Sequence, residues 1–133
     1  MDIRSAGVLV SDCTSVLLAK RNTSPQVKFP GYWAPFAGAI EAGESAEDAA
    51  KRELFEESRI KVKGELFLLS KVIQGHSLFY LYLYKVQKIP FPVIDFEHTE
   101  WGIFNIDSIS VSPAPIDIKV IKAIEMIQKT PKL

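Results

Sequence analysis

Apolar positions in the first third of the chain come in short blocks separated by polar turns. Segments 5–10 and 16–20 are apolar runs of strand length, and Asp12-Cys13-Thr14-Ser15 between them is turn-like, so the simplest element is a hairpin. Pro25, Pro30 and Gly31 break the pattern and mark 22–31 as a loop. Aromatic residues then crowd together at Phe29, Tyr32, Trp33 and Phe36. From 46 to 58 the period becomes helical, with Ala46, Ala49, Ala50 and Leu54 on one stripe. Ser45 is placed to cap this helix, because its hydroxyl can accept a backbone N–H that the first turn leaves unpaired. Asp48, three residues on, makes a weak capping box.

The second half continues with strands. Segments 66–74 and 78–86 flank a turn at Gly75-His76. In the second of them Leu78, Tyr80, Tyr82, Tyr84 and Val86 alternate with Phe79, Leu81 and Leu83, so both faces are apolar or aromatic. That predicts a central strand covered on both sides. A proline-containing loop, 88–96, leads through Glu97-His98-Thr99-Glu100 into a further strand. After a loop at 107–115, segment 116–128 is an amphipathic helix with Pro115 in its first turn. Its buried stripe is predicted as Val120, Ile121, Ile124 and Ile127, with Lys119, Lys122 and Glu125 off it. Residues 130–133 are expected to fray. The elements add up to one α/β domain, 1–133, a mixed sheet with helices on its faces and no repeat or linker.

The chemistry concentrates on the first helix. Glu53, Glu56 and Glu57 stand at i, i+3 and i+4, so three carboxylates share one side. Like charges at that spacing destabilise a bare helix by roughly 0.2–0.5 kcal/mol per pair. Glu53 and Glu57 also lie on the alanine–leucine stripe, which points them toward the body of the protein. Unpaired carboxylates there are costly, and a hard divalent cation relieves the cost. The competing reading is a solvated, salt-bridged helix, supported by the i,i+4 pairs Glu47–Lys51, Asp48–Arg52 and Arg52–Glu56.

Composition narrows the function classes. A chain of 133 residues with 47% hydrophobic content is a globular domain large enough for a core. The 16 basic and 16 acidic residues cancel, so no global cationic field favours nucleic acid or a membrane as the main partner. Cys13 is the only cysteine, which excludes an intrachain disulfide and makes a cytoplasmic setting the expectation. No signal-peptide core follows residues 1–4, and no apolar run reaches membrane-spanning length.

Gly38, Glu44, Arg52, Glu53, Leu54, Glu56, Glu57 and Ile60 stand in a register that resembles the Nudix box. Arg59 occupies a position where that family has glycine, and Pro35-Phe36-Ala37-Gly38 keeps only the last glycine of a common Pro-Gly-Gly entry. An arginine in the left-handed conformation expected there should cost roughly 1 kcal/mol. The resemblance implies a strand over 33–37 leading into the box, an α/β/α sandwich and a hydrolase that cleaves a pyrophosphate linkage in a nucleoside diphosphate joined to another group. It implies Mg²⁺ or Mn²⁺ held by Glu53, Glu56, Glu57 and the carbonyl of Gly38, with Glu44 and Arg52 orienting the ligands. The base would come from Glu53 or from Glu97, with Glu100 as the rival in the same loop.

Substrate contacts are less defined. Arg21, at a strand end, serves either solubility or phosphate binding. Phe29, Trp33, Tyr80 and Trp101 serve either as core or as faces on which a base stacks. Short length favours a MutT-like nucleoside triphosphate pyrophosphohydrolase. No proline lies between Ile60 and Lys88, which argues mildly against the ADP-ribose class of the family. Dinucleoside polyphosphates, RNA 5′ ends and a non-catalytic nucleotide sensor are the alternatives. A homodimer is an assembly the resemblance allows and the sequence does not choose.

Overall fold

Strand β1 (Ile3–Ser11) is the hub of the architecture. In the computed structural model, which describes residues 3–24 and 30–129, one edge of β1 runs parallel to β6 (Ser77–Lys85) over its whole length. Its other edge is shared. Residues 5–8 pair antiparallel with β4 (Phe36–Ala39), and residues 10–11 pair with β2 (Ser15–Arg21). Strand β5 (Phe67–Gln74) extends the sheet beyond β6, while β3 (Trp33–Ala34) and β7 (His98–Asn105) flank β2.

Period-2 alternation assigns the sheet residues to two cores. Ala6, Val8 and Val10 of β1, with Leu17 and Ala19 of β2, meet Ala49, Ala50 and Leu54 of helix α1 (Ala46–Ser58). Leu9, Val16, Leu18 and Leu81 meet Val120, Ala123 and Ile124 of helix α2 (Ile118–Lys129). The result is the α/β/α layering expected from the sequence.

Several local expectations hold. Ser45 caps α1 by accepting the Asp48 N–H at 3.1 Å. The 12–14 turn closes the β1–β2 hairpin, with Asp12 Oδ1 accepting from the Thr14 and Ser15 amides. Strand β6 is internal, between β1 and β5.

Three expectations need correction. Segment 33–37 is not one strand: Pro35, which has no N–H to donate, separates β3 from β4. Helix α2 starts later than 116, and Asp117 rather than Pro115 marks its start, with Oδ1 accepting the Lys119 N–H at 2.9 Å. Lys119 is buried rather than off the stripe, because its ammonium pairs with Asp117 at 2.9 Å and lies over the Phe79 ring. The expected fraying of 130–133 falls outside the described residues.

Arg59 ends α1 in the left-handed region, at φ 64°, and its N–H closes the last turn on the Phe55 carbonyl at 2.8 Å. Its guanidinium lies 5.4 Å from the centre of the half-exposed Phe55 ring, a contact worth about 0.5–1 kcal/mol at an exposed site. Arg59→Gly removes a left-handed cost of roughly 1–2 kcal/mol but loses that contact and gains unfolded-state entropy. The expected net is a stabilisation below about 1 kcal/mol, seen as a Tm rise of a few degrees. A fall in Tm would mean that the ring contact outweighs the backbone strain.

Candidate active site

Helix α1 lies across β4, and the seam between them gathers the acidic residues. The backbone passes so close at Gly38 that a Cβ there would land on the Glu53 carboxylate. Only glycine fits this approach.

Arg52 organises the exposed half of the site. Its Nε and Nη2 donate to the two oxygens of Glu44 at 2.7 and 2.9 Å, the fork geometry of a bidentate pair. Nη1 reaches Glu53 at 2.9 Å and Glu56 at 3.1 Å, and Nη2 also donates to the Ala39 carbonyl at 2.9 Å. Hydrogen bonding to Arg52 holds the Glu44 carboxyl down at about 2, and the same contacts push the guanidinium pKa up. Arg52 is therefore a fixed cation that ties the loop before α1 to three carboxylates.

Glu57 forms the inner half. It is 3% exposed, and its Oε1 accepts the Ala37 N–H at 3.2 Å. Burial, then the hydrogen bond and charge of Glu53, then the charges of Glu97 and Asp95, push its carboxyl up to about 10. One cation thus stands among Glu44, Glu53 and Glu56, and the carboxyl behind them is buried without one.

The loop before β7 closes the site from the other side. Val93 donates its N–H to the Ser58 carbonyl at the end of α1, at 2.9 Å. Glu97 is partly exposed, 3.6 Å from Arg21, and its carbonyl accepts the Asn22 N–H at 2.7 Å. Glu100 lies on strand β7, is largely exposed and pairs with Lys20 at 3.6 Å. Of these two acids, Glu97 is the one whose charge is felt at Glu57.

Beside Glu57 lies a residue with little signal in the sequence. The His98 ring is fully buried, with Nδ1 2.8 Å from Asp95 Oδ1 and Nε2 3.8 Å from Glu57 Oε1. The Asp95-x-x-His98 spacing was the one available signal, and it is weak.

The aromatic candidates are dispersed. Trp33 packs edge-on against Phe104 with the α2-side core, whereas Trp101 packs with the α1-side core and meets the exposed Phe91 ring at 5.2 Å. Tyr80 packs against the α1-side core, with Arg4 and Lys71 over its ring. Trp33 and Trp101 therefore cannot form one base-binding platform. Phe29 lies outside the described residues.

The salt-bridged helix accounts for part of this arrangement, since Glu47–Lys51 and Arg52–Glu56 both form at 3.2 and 3.1 Å. It does not account for a carboxyl buried behind them. Among the described residues no three acidic, histidine or cysteine side chains converge as a ready cation cage, and Arg52 stands between the carboxylates instead. The donor set nevertheless suits a hard divalent cation. All its side-chain donors are oxygens, they outnumber the local positive charge, and a cation would offset the cost that burial puts on the Glu57 carboxylate.

Comparison with known proteins adds a family, a curated relative and two solved structures. The NUDIX domain family matches residues 1–125. A NAD-capped RNA hydrolase NudC of Chromobacterium violaceum is 32% identical over 112 residues, covering 84% of this chain and 41% of that protein. The chain spans less than half the length of the curated relatives it matches. A MutT NUDIX hydrolase from Burkholderia pseudomallei superimposes with a TM-score of 0.76 at 24% identity, covering 93% of this chain and 96% of that one. The NUDIX domain of Shewanella oneidensis NrtR, solved with ADP ribose, gives 0.76 at 18% identity, covering 97% and 88%. These two likenesses concern the fold.

Proposed function

This chain belongs to the Nudix family, and we propose that it is a metal-dependent hydrolase of the pyrophosphate linkage in a nucleoside diphosphate joined to another group. The observation that carries the reading is Glu57: a carboxyl buried against Glu53, pushed up to about 10, on the helix where Glu53 and Glu56 already share Arg52. A buried excess of carboxylate is what a divalent cation site requires and what a merely structural helix avoids.

Glu53, Glu56 and Glu57, with the Gly38 carbonyl, would hold Mg²⁺ or Mn²⁺. When bound, the cation would neutralise phosphate charge and lower the pKa of an attacking water. Arg52 and Glu44 keep the ligand carboxylates in place through the bidentate pair. Glu53 is engaged by Arg52 and by Glu57, whereas Glu97 stands at the rim with solvent access, so we assign the proton-accepting role to Glu97. Arg21, held beside Glu97, is our candidate for contact with a substrate phosphate.

Among substrates, a MutT-like nucleoside triphosphate is the first reading. The second is a dinucleotide cap of the NAD type, and the NudC relative is what favours it. A panel of canonical and oxidised nucleoside triphosphates, NAD, NAD-capped RNA, ADP-ribose and dinucleoside polyphosphates, assayed with and without Mg²⁺, tests both. The expected result is Mg²⁺-dependent release of pyrophosphate from a triphosphate, or of a mononucleotide from a dinucleotide. Nucleotide binding without turnover of any member would replace the hydrolase with a sensor.

A further inference from the structure

Asp95, His98 and Glu57 form a line from the loop before β7 to the inner face of α1. The His98 ring is completely buried, and the Phe36 ring packs against it at 5.2 Å between centroids. Asp95 Oδ1 takes the Nδ1 side at 2.8 Å and also accepts the Glu97 N–H at 3.2 Å, so the ring orientation is fixed. Nε2 is the one buried side-chain polar atom without a hydrogen-bond partner among the described residues. A buried nitrogen in that state is costly unless a partner completes it. The nearest carboxyl is Glu57, whose Oε1 lies 3.8 Å away.

We propose that His98 is a positioning residue for the cation site: held by Asp95, it engages Glu57 Oε1 through Nε2 and so leaves Oε2 as the atom offered to the metal. The inference rests on the reading of Glu57 as a ligand. Oε1 already accepts the Ala37 N–H, so both constraints fall on the same oxygen. The line also couples two parts of the site, because Asp95 holds the Glu97 amide and the His98 ring at once. The carboxylate–imidazole arrangement does for Glu57 what outer partners do for metal ligands in general.

The test measures Mn²⁺ affinity directly, by electron paramagnetic resonance or calorimetry, without substrate. His98→Leu should weaken Mn²⁺ binding by about 10–100-fold while the circular dichroism of the fold is kept. His98→Gln, whose amide can again reach Oε1, should restore most of the affinity. Asp95→Asn, which loosens the ring, should fall between. In turnover the loss should appear as a higher Mn²⁺ requirement, with KM for nucleotide unchanged at saturating metal. A folded His98→Leu that binds Mn²⁺ within threefold of the wild type overturns the proposal. If that variant does not fold, an Asp95→Asn chain with wild-type affinity overturns it equally. A wild type that binds no Mn²⁺ overturns the reading of the site itself, and this inference with it.

Discussion

Glu57→Gln is expected to lower metal-dependent turnover by roughly a thousandfold and, in EDTA, to make the protein more stable at pH 8. The first effect follows from removing a ligand: several kcal/mol of charge stabilisation are at stake, and each 1.4 kcal/mol is about a factor of ten. The second follows from burial. The Glu57 carboxyl is pushed from its ordinary 4.5 up to about 10 in the folded chain. A carboxyl raised in this way favours folding fully only below its unfolded value. Its contribution is lost as pH rises from about 4.5 toward 10, by up to about 1.4 kcal/mol per pH unit. The wild type in EDTA should therefore lose thermal stability steadily from pH 5 to pH 9. Glutamine cannot ionise, so the variant should lack that slope. Mg²⁺ should raise the wild-type Tm more at pH 8 than at pH 6, because binding displaces the Glu57 proton. Glutamine should abolish that gain. An unchanged pH slope in the variant, or a Mg²⁺-dependent Tm shift that persists, would sink the assignment.

How much of this arrangement the sequence could reveal depends on whether the determining contacts are local. Helix α1 was legible to the residue because Ser45, the 3.6-residue stripe and the acids on that stripe all act within one segment. The inward placement of Glu53 and Glu57 followed from the same periodicity, and Glu57 is indeed buried. At Arg59 the sequence left two outcomes, a different turn or a strained left-handed residue, and the backbone takes the second. What the sequence hid is set by distant parts of the chain. Nothing local makes Lys119 buried, since it depends on Asp117 and on the Phe79 ring of another element. Trp33 and Trp101 look alike as candidates for base stacking, and only the sheet separates them onto different cores. His98 carried little signal, because nothing within its own segment shows that its ring will be buried. Its role depends on the 86–97 segment folding over the end of α1, where Val93 reaches Ser58.

The division of labour between Glu53 and Glu97 is the part of the site that mutation can separate most sharply. Glu97→Gln should reduce kcat by about 10²–10⁴ while leaving Mn²⁺ affinity within severalfold of the wild type. Glu97 is placed for this by its backbone rather than by the acidic cluster: its carbonyl accepts the Asn22 N–H at 2.7 Å, and Asn22 Nδ2 donates to the neighbouring Phe96 carbonyl at 3.1 Å. Its side chain is about one-third exposed, so water reaches it, and the Arg21 guanidinium stands 3.6 Å away. Glu53 has none of that freedom. It shares Arg52 with Glu44 and Glu56, sits against Gly38 and hydrogen-bonds Glu57. Glu53→Gln should accordingly lose Mn²⁺ affinity and turnover together. Equal losses of metal affinity in both variants would make Glu97 a ligand, and an unchanged kcat in Glu97→Gln would return the base to Glu53. Either outcome would also redefine what the Asn22–Glu97 contact is for. A ligand must be held against the cation before substrate arrives, whereas a base need only be in reach of the water that attacks.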